Sequence, residues 1–142
     1  MISLFDTPEK KAAKTYVHNL IRMAAADNVL HRDEIILINK IGSQKGLNEK
    51  EINSLYKLKT DGKITIPKSR TDCFDLLYDI IEVMNADGEV SEAEFSFCEE
   101  VAQKMGFSET IVKLLVNKIE RSITYNVPKQ TLVEEARPFI NY

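Results

Sequence analysis

The chain reads as all-α, and three observations predict this. Apolar residues recur at helical spacing along most of its length, strong helix stop and start signals punctuate it, and one pattern occurs twice, sixty residues apart. Ile21, Ala26, Asp27, Glu34, Gly46, Glu49 and Leu55 recur as Ile81, Ala86, Asp87, Glu94, Gly106, Glu109 and Leu115. These are seven identities in the 44 ungapped pairs between 15–58 and 75–118, and most other pairs set apolar against apolar. Such a match implies a duplicated unit. We expect about seven helices in one domain spanning 1–142. A three-helix unit covers about 8–58, a second covers about 69–122, and a C-terminal helix covers about 128–137. No alternating strand pattern competes.

Each element has its own signal. Thr7-Pro8 pairs an N-cap with proline at the first helical position. Ala13, Val17, Leu20, Ile21 and Ala24 then form one helical face. Cys73, Leu77, Ile80, Ile81 and Met84 repeat that face with more bulk at the ends, so two similar faces can fill one core. The second helices begin near 31 and 91, with apolar positions Ile35, Ile38, Ile41 and Phe95, Cys98, Val101. Each ends at a glycine, Gly46 or Gly106, followed by Leu47 or Phe107, the pattern of a left-handed C′ residue with an apolar fold-back. Asn48 and Ser108 cap third helices over about 49–58 and 109–122, and Asn48-x-x-Glu51 is a capping box. Residues 59–68 join the halves: Asp61-Gly62 marks a turn, Ile64 and Ile66 alternate with polar residues as a short extended piece, and Pro67 opens the next helix. Pro128 opens the last helix and Pro138 ends or kinks it.

Composition excludes several classes. A net charge of −3 lacks the positive excess of a nucleic-acid binder. Cys73 and Cys98 sit on apolar helical faces and read as reduced core thiols. No apolar stretch approaches the roughly 18 residues of a membrane span, and Met1–Asp6 is not a signal peptide. We expect a cytoplasmic protein with no direct membrane insertion.

The chemistry lies in the carboxylates. Asp87, Gly88, Val90 and Glu94 match positions 5, 6, 8 and 12 of an EF-hand calcium loop, and Asn85 matches position 3, but Val83 stands where the first Asp belongs. The first unit matches worse: positions 1, 3 and 6 are Met23, Ala25 and Asn28. Ser91-x-x-Glu94 is also a capping box. In the first unit His31 is a poor cap, yet Glu34 is kept, which hints at a use beyond capping. Asp75, Asp79 and Glu82 share the polar face of the fourth helix. That face is either solvated or relieved by a hard divalent cation, Ca²⁺ or Mg²⁺. The candidate metal ligands are therefore Asp87, Glu94 and Asp79, with Asp27 and Glu34 as the sparser counterpart. His18 is expected at the surface, and neither it nor His31 has zinc spacing. No catalytic triad or phosphate loop is evident. Lys57, Lys59, Lys63, Lys68 and Arg70 read as a solvated basic stretch.

Met23-Ala-Ala-Ala-Asp27 with Glu34, and Met84-Asn-Ala-Asp87-Gly88-Glu-Val with Glu94, each followed by Gly-Leu/Phe-Asn/Ser, resemble the tellurite-resistance TerB-like family over about residues 8–122. The first copy departs from it at Asn28 and His31. The chain is also similar to the N-terminal part of membrane-anchored DnaJ-type co-chaperones, although no His-Pro-Asp motif occurs. The resemblance implies a helical bundle of two repeats, an acidic surface associated with divalent metal, and a role in stress-response assemblies near the membrane rather than catalysis. Asp27, Glu34, Asp87 and Glu94 would be its metal ligands or partner contacts.

The resulting expectation is a non-enzymatic module whose acidic rim binds a divalent cation weakly or docks a protein partner, soluble or membrane-associated. The rivals are a calcium sensor using the degenerate loop at 83–94 and a metal-dependent hydrolase using the carboxylates. The second unit is expected to hold any site, with the first as scaffold.

Overall fold

The computed structural model describes residues 3–58 and 64–140. Among these residues there are seven helices and no strand: α1 (Pro8–Ala24), α2 (Arg32–Gln44), α3 (Glu49–Leu55), α4 (Arg70–Met84), α5 (Glu92–Lys104), α6 (Glu109–Tyr125) and α7 (Lys129–Ile140). The Asp61-Gly62 turn and the lysines Lys59 and Lys63 lie outside the described residues.

Local chemistry sets most boundaries. Thr7, Asn48, Ser69, Ser91 and Ser108 each accept the backbone N–H three residues on, satisfying an amide that the helix start leaves orphaned. Gly46 and Gly106 adopt φ of 90° and 92°. There Leu47 N–H donates to Gly42 O at 3.0 Å and Phe107 N–H to Ala102 O at 2.9 Å, which closes the last turn of α2 and α5.

The duplication is visible in the packing. α1 lies on α2 and α3 as α4 lies on α5 and α6, and the crossed pairs α1–α5 and α4–α2 match as well. Burial repeats at the sixty-residue interval: Val17 and Leu77, Leu20 and Ile80, Ile21 and Ile81, and Leu55 and Leu115 are all buried in one core. Each such side chain contributes about 1.5–3 kcal/mol of burial free energy. Bulk is also traded between helices. A Cβ on Gly42 would stand 2.9 Å from Ile52 Cδ1, whereas the equivalent positions in the second unit are Ala102 and the shorter Val112.

Several sequence expectations are corrected. α3 stops at Leu55 rather than 58, where Tyr56 turns back to donate its hydroxyl to Asn39 Oδ1 at 2.9 Å. α6 runs to Tyr125, ending where Asn126 takes φ of 54°. α7 continues two residues past Pro138, because a proline in the last turn forfeits little of the helix beyond it. His18 is buried in α1, not at the surface. Residues 64–67 carry no regular secondary structure. The Asn19 amide replaces the missing partner strand by donating to Thr65 O at 3.0 Å and accepting from Thr65 N–H at 3.2 Å. Cys73 and Cys98 are free and buried, and burial pushes the Cys98 thiol up to about 12.

The acidic face of α4 is not a uniformly solvated surface. Asp79 is only 7 % exposed, and it accepts from the Tyr16 hydroxyl and, at 3.4 Å, from Lys129 Nζ at the start of α7. α1 and α7 close over it from two sides. Burial raises the carboxyls of Asp75 and Glu82 on the same face above the ordinary carboxylate value.

Candidate functional site

The turns that lead out of α1 and α4 have the same construction. Asp27 Oδ1 accepts Val29 N–H at 3.0 Å, and Asp87 Oδ1 accepts Glu89 N–H at 3.0 Å. Between them Asn28 and Gly88 take φ of 65° and 80°. Asn28 thus reproduces the glycine's backbone, being one of the few side chains that tolerate this region. Both turns then enter a helix whose third residue is a buried glutamate. Glu94 and Ser91 form a full capping box: Ser91 N–H donates to Glu94 Oε1 at 3.2 Å and Glu94 N–H to Ser91 Oγ at 3.0 Å. In the first unit Glu34 Oε1 accepts His31 N–H at 3.4 Å, and the His31 ring lies against the Glu34 backbone in the same box arrangement but falls short of a cap hydrogen bond.

The crossed packing of α1 on α5 and α4 on α2 brings these two corners together. Glu34 and Glu94 are 0 % and 1 % exposed, and their carboxyls are within hydrogen-bonding reach of each other. Each spends Oε1 on its cap amide, and each Oε2 is buried without a hydrogen-bond partner. His31 lies between the aspartates, with Nε2 3.6 Å from Asp27 Oδ2 and Nδ1 3.6 Å from Asp87 Oδ2. One ligand atom from each of His31, Glu34 and Asp87 falls within 4.8 Å of the others.

The result is one cluster assembled from both units, where the sequence reading anticipated two separate corners. Four carboxylates each keep one oxygen bound to a backbone amide and one oxygen uncommitted by it. Burial, and then the neighbouring Glu94 carboxylate, push Glu34 up to about 9, because ionising both glutamates in so small a volume is unfavourable. A proton or a cation relieves that repulsion.

Asp79 is not brought to the cluster; its partners are Tyr16 and Lys129. The EF-like assignment of the 83–94 loop also loses its early ligands. Val83 is fully buried in α4, and Asn85 Nδ2 donates to Ile81 O at 2.8 Å. The residue that sequence reasoning missed is His31. The one available signal was a glutamate kept opposite a poor cap, but the contact to Asp87 spans the two units and has no periodic signature.

Among the described residues no helix is long and apolar enough to cross a membrane. No protein-family model matches the sequence, and no curated protein matches it either. A solved structure does resemble it. A tellurite resistance protein from Nostoc punctiforme PCC 73102 aligns over 95% of this chain and 82% of its own, with a TM-score of 0.61 and 22% identity. In architecture, therefore, the chain has the all-α, TerB-like fold of that tellurite resistance protein.

Proposed function

We propose that this protein is a non-enzymatic TerB-like module that holds one divalent cation at the junction of its two units. The observation that carries this reading is that two buried oxygens on neighbouring carboxyls, Glu34 Oε2 and Glu94 Oε2, make no hydrogen bond beside Asp27, Asp87 and His31. Buried polar atoms are nearly always paired, so two orphans side by side mark a place that a ligand completes. A cation there would tie the first turns of α2 and α5 together and link the halves. Four surface cavities of about 340–580 Å³ lie among the described residues, and none of these four is lined by residues of the cluster.

Calorimetry with Ca²⁺, Mg²⁺, Mn²⁺ and Zn²⁺ tests the proposal. We expect one cation per chain, and no binding in the double variant Glu34→Gln with Glu94→Gln. Absence of heat in the wild type, or unchanged heat in the double variant, overturns it. Partner docking is the second reading. Val29, Leu30 and Ile36 are exposed beside the cluster, where the second unit carries Glu89, Val90 and Ser96. An apolar anchor flanked by basic residues on a partner would complement that surface, in keeping with a cytoplasmic, stress-related role. Ile36→Ser would then weaken the partner's binding and leave the cation's unchanged.

A further inference from the structure

We infer that His31 enters this centre as a nitrogen ligand, so that the site takes a first-row transition cation in preference to Mg²⁺ or Ca²⁺. The inference rests on the cation reading above and adds the class of ion to it.

The first support is position. His31 presents one ring nitrogen to each aspartate, Nδ1 to Asp87 and Nε2 to Asp27, both at 3.6 Å. Ligands held about 2.0–2.2 Å from one ion lie roughly 3–4.4 Å from each other. The spacing among His31, Glu34 and Asp87, all within 4.8 Å, is close to that of a first coordination shell. Nδ1 then faces the ion alongside Asp87, Glu34 and Glu94, and Nε2–H is left to Asp27. A carboxylate on the far nitrogen of a metal-bound imidazole is the arrangement that fixes the ring and raises its basicity.

The second support is the carboxylates themselves. Calcium collects six to eight oxygens, commonly through bidentate glutamate. Here Glu34 Oε1, Glu94 Oε1, Asp27 Oδ1 and Asp87 Oδ1 are all bound to backbone amides. Each carboxylate therefore offers a single oxygen unless a cap or turn is broken. Four such oxygens fall short of the six to eight that calcium collects unless water or the amide-bound oxygens make up the rest, and a set containing imidazole suits magnesium poorly. Mixed oxygen and nitrogen ligands suit zinc, iron or cobalt.

The third support is the contrast with the second unit. Ser91, equivalent to His31, is consumed by its capping box. The His31 ring sits in the equivalent box position but makes no cap hydrogen bond there, and its side chain is 39% exposed, so turning it onto an ion gives up less at the start of α2 than moving Ser91 would at α5.

The test uses the full chain with Zn²⁺, Co²⁺, Mg²⁺ and Ca²⁺ in calorimetry, and follows the His31 ring signals by NMR during Zn²⁺ addition. With only two histidines, the assignment is direct. Expected are Zn²⁺ and Co²⁺ affinities at least about tenfold above those of Mg²⁺ and Ca²⁺, and a shift of the His31 ring with one equivalent of Zn²⁺. His31→Ser, which installs the second unit's capping residue, should lower Zn²⁺ and Co²⁺ affinity about tenfold or more and leave Mg²⁺ and Ca²⁺ within about twofold. Equal affinities for all four ions, or an unchanged Zn²⁺ preference in His31→Ser, would overturn the inference and leave an all-oxygen cation site standing. Failure of every ion to bind the wild type would remove the cation reading and this inference together.

Discussion

Two places in this protein bury carboxylates, and they do it in opposite ways. Asp79 is 7 % exposed and fully answered: Tyr16 donates its hydroxyl, and Lys129 brings its ammonium to 3.4 Å while also lying over the Tyr78 ring at 4.5 Å. Glu34 and Glu94 are buried more deeply and answered less, with one backbone amide each and otherwise only each other. The difference separates structure from site. A buried charge surrounded by donors is part of the scaffold, and removing it leaves those donors stranded. A pair of buried acids with orphan oxygens is an incomplete arrangement that holds something else.

The largest expected effect lies on the scaffold side. Asp79→Ala should destabilise the protein by up to about 3 kcal/mol, chiefly because the Tyr16 hydroxyl loses a charged acceptor; Lys129, half exposed, adds little. Urea unfolding would measure this as a lower midpoint at unchanged slope. A loss under about 1 kcal/mol would place Asp79 with the open acids instead.

Next is the effect of the ion on stability. An ion supplied at about a hundred times its dissociation constant should stabilise the wild type by about 2.7 kcal/mol. It should do nothing for the Glu34→Gln, Glu94→Gln double variant, and Asp79→Asn should keep the full gain. Thermal melts with and without chelator check both arms. A gain that disappears in Asp79→Asn would erase the distinction between the two regions.

The pH dependence of the metal-free protein sharpens the contrast further. Burial and Glu94 raise Glu34 in the folded chain far above an unfolded carboxyl of about 4.3. The folded state therefore holds a proton that the unfolded state has released. This contribution to stability is fully present below about pH 4 and is lost as pH rises towards 9. Asp75 and Glu82 are raised too and act in the same direction, whereas Asp6 and Glu51, lowered chiefly by Lys14 and Lys10, lose their contribution as pH falls. Urea midpoints at pH 5, 7 and 9 in chelator should fall less steeply in Glu34→Gln than in the wild type. Equal slopes would mean that the glutamate pair is not repulsive.

Much of the fold was legible because its signals are local. The glycine stops at Gly46 and Gly106, the capping residues and the apolar faces all act within a few residues, and the repeat multiplied them. The Ser91–Glu94 capping box was legible for the same reason, whereas Glu34 stood out only as a glutamate kept without a capping partner. What was not legible depends on contacts between the units. Nothing at a spacing of three or four residues shows that α1 crosses α5 as α4 crosses α2, and this crossing turns two corners into one cluster. Asp79 was misplaced for a similar reason: its partners, Tyr16 and Lys129, lie 63 and 50 residues away. Asn28 resembled a lost glycine, yet at φ of 65° it preserves the turn.

The smallest effect separates the two corners of the cluster. Ser91→Ala removes a made cap bond, the 3.0 Å contact from Glu94 N–H, and should cost about 1 kcal/mol without any ion. His31→Ala removes only a box contact that falls short of a cap hydrogen bond and should cost a few tenths of a kcal/mol under the same conditions. With saturating Zn²⁺ the order should reverse, since alanine at 31 deletes a ligand while alanine at 91 leaves all four carboxylates in place. Chemical unfolding of both variants with chelator and with Zn²⁺ gives the four numbers required. If Ser91→Ala remains the costlier change in Zn²⁺, the ring of His31 contributes nothing to the centre. The two corners would then differ only in how well their helices are capped.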